Sequence, residues 1–277
     1  MAMRTTRLAP LPILLLALGL LACGSPSAPP NAEQAPAPTV DQAPADENEV
    51  TSPEEMARGV ATQVTRAVGD PSRVYALAFR FVVMQNGERA FEAMHHWDRL
   101  RERDLVEWTG RDGKARRAVV DLRTHRACGT IDGVVAADTD LDALSEQAYQ
   151  RFINDSYWFV MPLKLEDPGV HLVREAPRER DGTRYSILHM TFAHVGLTPG
   201  DQYWLFINPT SQRIDRWEMK LEGQEGPPTG TSFTDYRDVA GLMLAHDHVS
   251  DDGTRHVLFE DTGSFDRQNI FDIEGCS

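Results

Sequence analysis

The sequence predicts an α+β domain in which a long, curved antiparallel sheet of about ten strands carries two or three helices. Three observations predict it. Apolar residues alternate with period two in one run after another; Asn-Gly or Asp-Gly dipeptides separate several runs, at residues 86–87, 112–113, 132–133, 181–182 and 252–253; and helical periodicity is confined to two stretches. The totals fit one domain, or two small ones: 277 residues, 41% of them hydrophobic, with 28 Lys and Arg against 42 Asp and Glu. A formal charge of -14 excludes nucleic acid and an anionic lipid surface as general partners, because neither attracts such a field.

The first 22 residues read as a secretory leader. Arg4 and Arg7 precede an apolar run from Leu11 to Leu21, which is too short to span a bilayer. The run ends Leu20-Leu21-Ala22-Cys23-Gly24, which resembles the lipobox of bacterial lipoproteins. That resemblance implies cleavage before Cys23 and lipid on its sulfur. It also implies sorting to the outer membrane, facing the periplasm, because Gly24 stands where the inner-membrane retention signal would be Asp. Residues 23–51 are rich in Pro, Ala and acid with no Lys or Arg. They cannot bury enough apolar surface to offset their ordering entropy, and so read as a tether reaching up to roughly 80 Å from the lipid.

The domain is expected over residues 52–277. Ser52-Pro53-Glu54-Glu55 predicts a capped helix start, with Met56, Val60, Val64 and Val68 as its apolar stripe. After Gly69 the period becomes alternating. Tyr75, Leu77, Phe79, Phe81 and Val83 share one face of a strand, Asn86-Gly87 turns the chain, and the return strand covers about 89–97. Further strands are predicted at about 104–109, 115–122, 127–131, 184–193, 202–207, 213–222, 241–249 and 255–263. A second helix, capped at Thr139 or Asp140, is predicted from Leu141 to Ile153 on a stripe of Leu141, Leu144, Ala148 and Phe152.

Two windows carry the most information: residues 152–170, centred on Tyr157-Trp158-Phe159-Val160-Met161-Pro162, and residues 195–209, with Tyr203-Trp204-Leu205-Phe206-Ile207-Asn208-Pro209 continued by Arg213 to Glu218. In these the sequence resembles the LolA/LolB-like outer-membrane lipoprotein-sorting superfamily. The resemblance implies a half-open antiparallel barrel whose concave face, lidded by helices, holds acyl chains or another apolar ligand. Tyr75, Phe79, Phe81, Phe91, Trp97, Trp108, Trp158, Tyr203, Trp204 and Trp217 are the expected lining; for each ring taken singly, an ordinary core position is the competing reading. A soluble carrier is not itself anchored, so Cys23 points to an anchored receptor or an independent lipid-binding lipoprotein.

Other chemistry is less marked. His246 and His248 share one strand face, but no third ligand is suggested nearby, so metal is not expected. Asp138-Thr139-Asp140-Leu141-Asp142 starts like a calcium loop but has Ala143 where Gly is needed and Tyr149 where the closing Glu belongs. The hydrolase elbow, the phosphate-binding loop and the zinc-protease helix motif are all missing from the sequence. Cys128 and Cys276, left over once Cys23 takes lipid, are expected to form a disulfide in an oxidising compartment. The expectation is a non-catalytic, membrane-anchored lipoprotein without cofactors that binds a lipid or the acyl part of a lipoprotein. The alternatives are an envelope interaction protein with a closed core, and a metal-dependent hydrolase using His246 and His248.

Overall fold

A computed structural model describes residues 52–193, 200–266 and 270–274. The leader, Cys23, the tether, His194 and Cys276 lie outside them. The described strands form one antiparallel sheet of thirteen. Six precede the long helix: β1 (Ala76–Gln85), β2 (Glu88–Asp98), β3 (Arg103–Thr109), β4 (Ala115–Asp121), β5 (Ala127–Ile131) and β6 (Val134–Val135). Seven follow it: β7 (Val170–Arg180), β8 (Thr183–Phe192), β9 (Gln202–Ile207), β10 (Ile214–Lys220), β11 (Thr229–Val239), β12 (Leu242–Ser250) and β13 (Arg255–Gly263). Each set is a meander. The two join where β1 pairs with β13, Phe81 opposite Phe259 and Val83 opposite Val257, leaving β6 and β7 as open edges.

Ten of these strands follow the predicted runs, and β6, β7 and β11 are additional. β6 has only two residues, too few to show a period. β7 is an edge strand of mostly half-buried and exposed residues, so its sequence, Val-His-Leu-Val-Arg-Glu-Ala-Pro-Arg-Glu-Arg, is polar and admits Pro177. β11 is held by pairing to β10 and β12 on both sides, in spite of its Gly, Asp and Ser content. The turn between β1 and β2 has Asn86 at φ 52° and Gly87 at φ 82°, the left-handed pair that a two-residue hairpin needs.

The first helix, α1 (Pro53–Val68), starts as expected: the Ser52 hydroxyl accepts from the Glu55 N–H at 3.1 Å, and Glu55 Oε2 accepts from the Ser52 N–H at 3.2 Å. Such a cap contributes about 1 kcal/mol. Its buried stripe is Ala57, Ala61, Val64 and Val68, while Met56 is exposed and Val60 half-buried. Steps of four drift around a helix of 3.6 residues per turn, so Met56, Val60, Val64 and Val68 cannot all face one neighbour. The two alanines face the interior instead.

The second helix, α2 (Asp138–Val160), is ten residues longer than the predicted one, which spans thirteen. It begins at Asp138 after Ala137, which makes no side-chain cap, so neither Thr139 nor Asp140 is the capping residue. Asp138 and Asp140 in the first turn favour the positive helix end instead. Its last seven residues, Asn154 to Val160, are all buried and continue the helix beyond Ile153. A helix enclosed on every side shows no amphipathic stripe, which is why periodicity ends too early. This apolar end fills the hollow of the curved sheet. The larger core cluster joins it to α1, β1 and β8–β13, and a smaller cluster packs Leu144 and Ala148 on Ala93, Val106, Trp108, Ala118 and Val120.

The C-terminal segment lies across the outer face of β2–β4. Phe265 meets His96 edge-on at 5.2 Å, the Arg103 guanidinium lies 3.9 Å over the Phe271 ring, and Arg117 Nη2 donates to the Ile270 carbonyl at 2.9 Å.

Candidate functional site

Strand alternation and register decide which aromatic side chains meet. Leu77, Phe79, Phe81 and Val83 of β1 point into the hollow with Phe91 and Trp97 of β2, and Phe79, Phe81, Tyr203 and Trp217 are essentially fully buried. Trp217 touches Trp158 at 4.6 Å, Phe233 at 5.1 Å and Tyr203 at 5.2 Å between ring centroids. Trp108 belongs to the smaller cluster. Two of the expected lining residues are elsewhere. Tyr75 precedes β1 and is 52% exposed, because the chain has not yet entered the sheet. Trp204 has the opposite parity to Tyr203 and so faces outward, where it stacks on His189 at 4.7 Å and donates from Nε1 to Glu175 at 3.0 Å. The concave face is thus largely occupied by the protein's own side chains.

A cavity of about 240 Å³ lies beside it. His248, Trp158 and Val257, all buried, form its inner part with Met219 and Thr231, and Gln85, Ser250, Asp252, Thr254 and Arg255 stand at its mouth. Pairing builds this place: His248 sits opposite both Phe233 and Val257, and Arg255 opposite Gln85. Phe233, Phe259 and Trp158 each present an edge-on ring contact to His248, at 4.2, 5.5 and 5.8 Å. Burial pushes its imidazole down to about 3, so the ring is neutral at neutral pH, with one donor and one acceptor nitrogen. Apart from a weak backbone contact at Ala245, neither nitrogen makes a hydrogen bond of ordinary geometry among the described residues, although the side chain is 1% exposed. Unsatisfied buried polar atoms of this kind cost about 1–3 kcal/mol each and are uncommon.

His246 shares that strand face but is engaged: Nδ1 lies 3.0 Å from the Leu244 carbonyl and Nε2 3.0 Å from Thr262 Oγ1. Among the described residues no group of three or more metal-ligating side chains gathers at this pair.

A second buried polar cluster ties helix to sheet. His95 Nδ1 is 2.7 Å from Asp104 Oδ2 and Nε2 is 3.2 Å from Asp155 Oδ2, with all three side chains at 0% exposure. Burial disfavours the charged ring, but the Asp104 charge and the hydrogen bonds to both carboxylates outweigh it and raise the imidazole to about 9. The imidazolium therefore donates from both nitrogens. Asn154 Nδ2 donates to Asp155 Oδ1 at 2.7 Å, Arg151 Nη1 is 3.8 Å from the same oxygen, and Phe79 stacks on the His95 ring at 4.8 Å. With both nitrogens occupied and no solvent access, the ring has no free atom for a substrate; it joins β2 and β3 to α2.

A groove of about 400 Å³ on β1–β5 is lined by Arg80, Glu92, Glu107, Trp108, Arg116 and Arg117 among others. Its cations are matched: Arg80 pairs with Asp261 and Glu92, Arg117 with Glu107, and Arg116 with Asp112. The sequence reading omits Met219, Arg255, Val257 and the His95 cluster. Only Asn154-Asp155-Ser156, polar residues set directly before an aromatic run, carry a signal for the cluster in the sequence, because Asp104 and Asp155 reach His95 through tertiary packing.

No protein-family model matches the sequence, and no curated protein matches it. Among solved structures the chain is similar to a LolA superfamily protein from Nitrosomonas europaea, at 11% identity and a TM-score of 0.49, covering 76% of this chain and 94% of that one. It is also similar to a DUF1329 family protein from Desulfovibrio piger, at 9% identity and a TM-score of 0.44, covering 77% and 94%. A third is the lipoprotein LppX from Mycobacterium tuberculosis, at 10% identity and a TM-score of 0.30, covering 75% and 94%.

Proposed function

We propose that this chain is an envelope lipoprotein, anchored by lipid on Cys23 in the outer membrane and facing the periplasm, that binds an apolar ligand without covalent chemistry. The observation that carries the reading is the 240 Å³ cavity beside a close-packed core, with Trp158, Met219 and Val257 as apolar surface and the buried His248 within it. At ~30 Å³ per water-sized group, such a volume takes about eight groups, the size of a segment of one acyl chain. Burying that segment releases about 25 cal/mol per Å² before ordering costs. A ligand with two or three full chains would require the end of α2 to leave the hollow.

The test is native mass spectrometry of the chain carrying Cys23→Ala, which removes any lipid of its own, after expression in a bacterial periplasm. Stoichiometric co-purifying lipid, or uptake of one acyl chain on incubation, is the expected result. A clean mass that stays unchanged with phospholipid and lipopeptide would favour the interaction protein with a closed core. In the unsubstituted chain, labelled palmitate is expected at Cys23 and nowhere else.

A Cys128–Cys276 disulfide belongs to the same proposal. Its support is that Cys128 is half-buried on β5 and that Ile270 and Phe271, a few residues before Cys276, dock on the neighbouring strands. Alkylation of the denatured, unreduced protein is expected to leave both sulfurs unmodified, and modification of either would remove the bond.

A further inference from the structure

We infer that the cavity at His248 takes an anionic single-chain amphiphile, with its acidic head group on Arg255 and its chain along Trp158, Met219 and Val257. This rests on the cavity-binding reading above and names the class of ligand for the same site.

Arg255 is a half-buried cation with no carboxylate partner among the described residues. Arg80, Arg89, Arg116, Arg178 and Arg216 each pair with an acidic side chain, as expected where acids outnumber bases. Among the described residues no carboxylate lies within ion-pair distance of the Arg255 guanidinium, and its Nε is buried with no hydrogen-bond partner. It is half-buried at the cavity mouth, 5.9 Å from the centroid of the Trp158 ring. Burial lowers its affinity for the proton, which is the mark of a cation lacking its counter-charge. A planar guanidinium in this state matches a carboxylate or a phosphate, which it can bind through two parallel hydrogen bonds.

The interior continues the same ligand. Val257 is two residues from Arg255 on the same strand face, about 7 Å inward, and His248 lies directly opposite it. A neutral imidazole with no well-formed side-chain partner meets an oxygen partway along a chain, such as the hydroxyl or carbonyl of an ester. The mouth also holds Asp252, which repels an anion. Its Oδ1 is already used by the Ser250 hydroxyl at 2.6 Å, the Thr254 N–H at 3.0 Å and the Thr254 hydroxyl at 2.9 Å, so its charge is partly offset within its own turn. The predicted balance is attraction by Arg255, reduced but not cancelled by Asp252.

Calorimetric titration of the Cys23→Ala chain with dodecanoate, dodecyl phosphate and dodecanol, each below its micelle concentration, tests this. Both anions are expected to bind at least 10-fold tighter than the alcohol, and the stronger of the two identifies a fatty acid or a phosphate-bearing lipid as the natural source. Arg255→Met, which keeps the apolar stem, should erase that advantage, bringing both anions down to the affinity of the alcohol. Asp252→Asn, an exposed substitution, should tighten both anions several-fold, and it serves as the independent variant if Arg255→Met fails to fold. Equal binding of all three probes, unaltered by Asp252→Asn, would overturn the anionic head group and leave the apolar cavity standing. If none of the three binds, both the head-group assignment and the cavity reading fall.

Discussion

Asp155→Ala is expected to destabilise the protein by about 3–5 kcal/mol, because it leaves the buried His95 imidazolium with one carboxylate instead of two. The same cluster predicts a pH profile. The folded His95 holds its proton up to about 9, whereas the unfolded side chain releases it near 6.5. Between those values the folded state binds the extra proton, so stability is fully present below pH 6.5 and is lost as pH rises through 9. His248 acts in the opposite direction: its folded value is about 3, so the unfolded chain takes up a proton that the folded one refuses, and stability falls as pH drops from 6.5 towards 3. Urea denaturation across pH 4 to 10 should therefore show a maximum near pH 6.5. Asp155→Asn should flatten the alkaline limb and His248→Phe the acid limb. An alkaline limb equally steep in Asp155→Asn would mean that Asp155 does not hold the His95 proton.

The second large effect is expected at Trp217. Its ring is fully buried among Tyr157, Trp158, Tyr203 and Phe233, and its Nε1–H has no hydrogen-bond partner among the described residues. Trp217→Ala should cost about 3–5 kcal/mol through the cavity it leaves, and Trp217→Phe roughly 1–2 kcal/mol, since an unpartnered N–H takes no hydrogen bond with it. Thermal or urea unfolding of the two variants checks both figures. A cost under about 1 kcal/mol for the alanine would show that the ring lines open space and is not part of a packed core.

Much of the architecture is legible in the sequence. Alternation from Leu77 to Val83 and from Gln202 to Ile207, the Asn86-Gly87 turn and the Ser52–Glu55 cap each act within a few residues, and each appears in the fold. Elements held by neighbours are not legible. β7 is polar because it is an edge, β11 depends on pairing at both sides, and the end of α2 lost its periodicity by being surrounded.

The candidate site divides in the same way. Trp158 stands out in sequence as part of an aromatic run, but nothing local distinguishes it from Trp204 or Trp217, of which one faces outward and the other is enclosed in the core. The sequence by itself determined the strand runs, the turns, the lipobox-like Cys23 and the acidic balance, because these depend on residue type and short-range spacing. Only the tertiary structure decided that the hollow is filled by the end of α2, that His95 lies between two buried carboxylates, and that Arg255 and His248 open onto one cavity with no acidic partner among the described residues. The reason is physical: burial, desolvation and pairing arise between side chains far apart in sequence, 60 residues for His95 and Asp155 and 181 for Arg80 and Asp261, and no local pattern encodes which of them will meet.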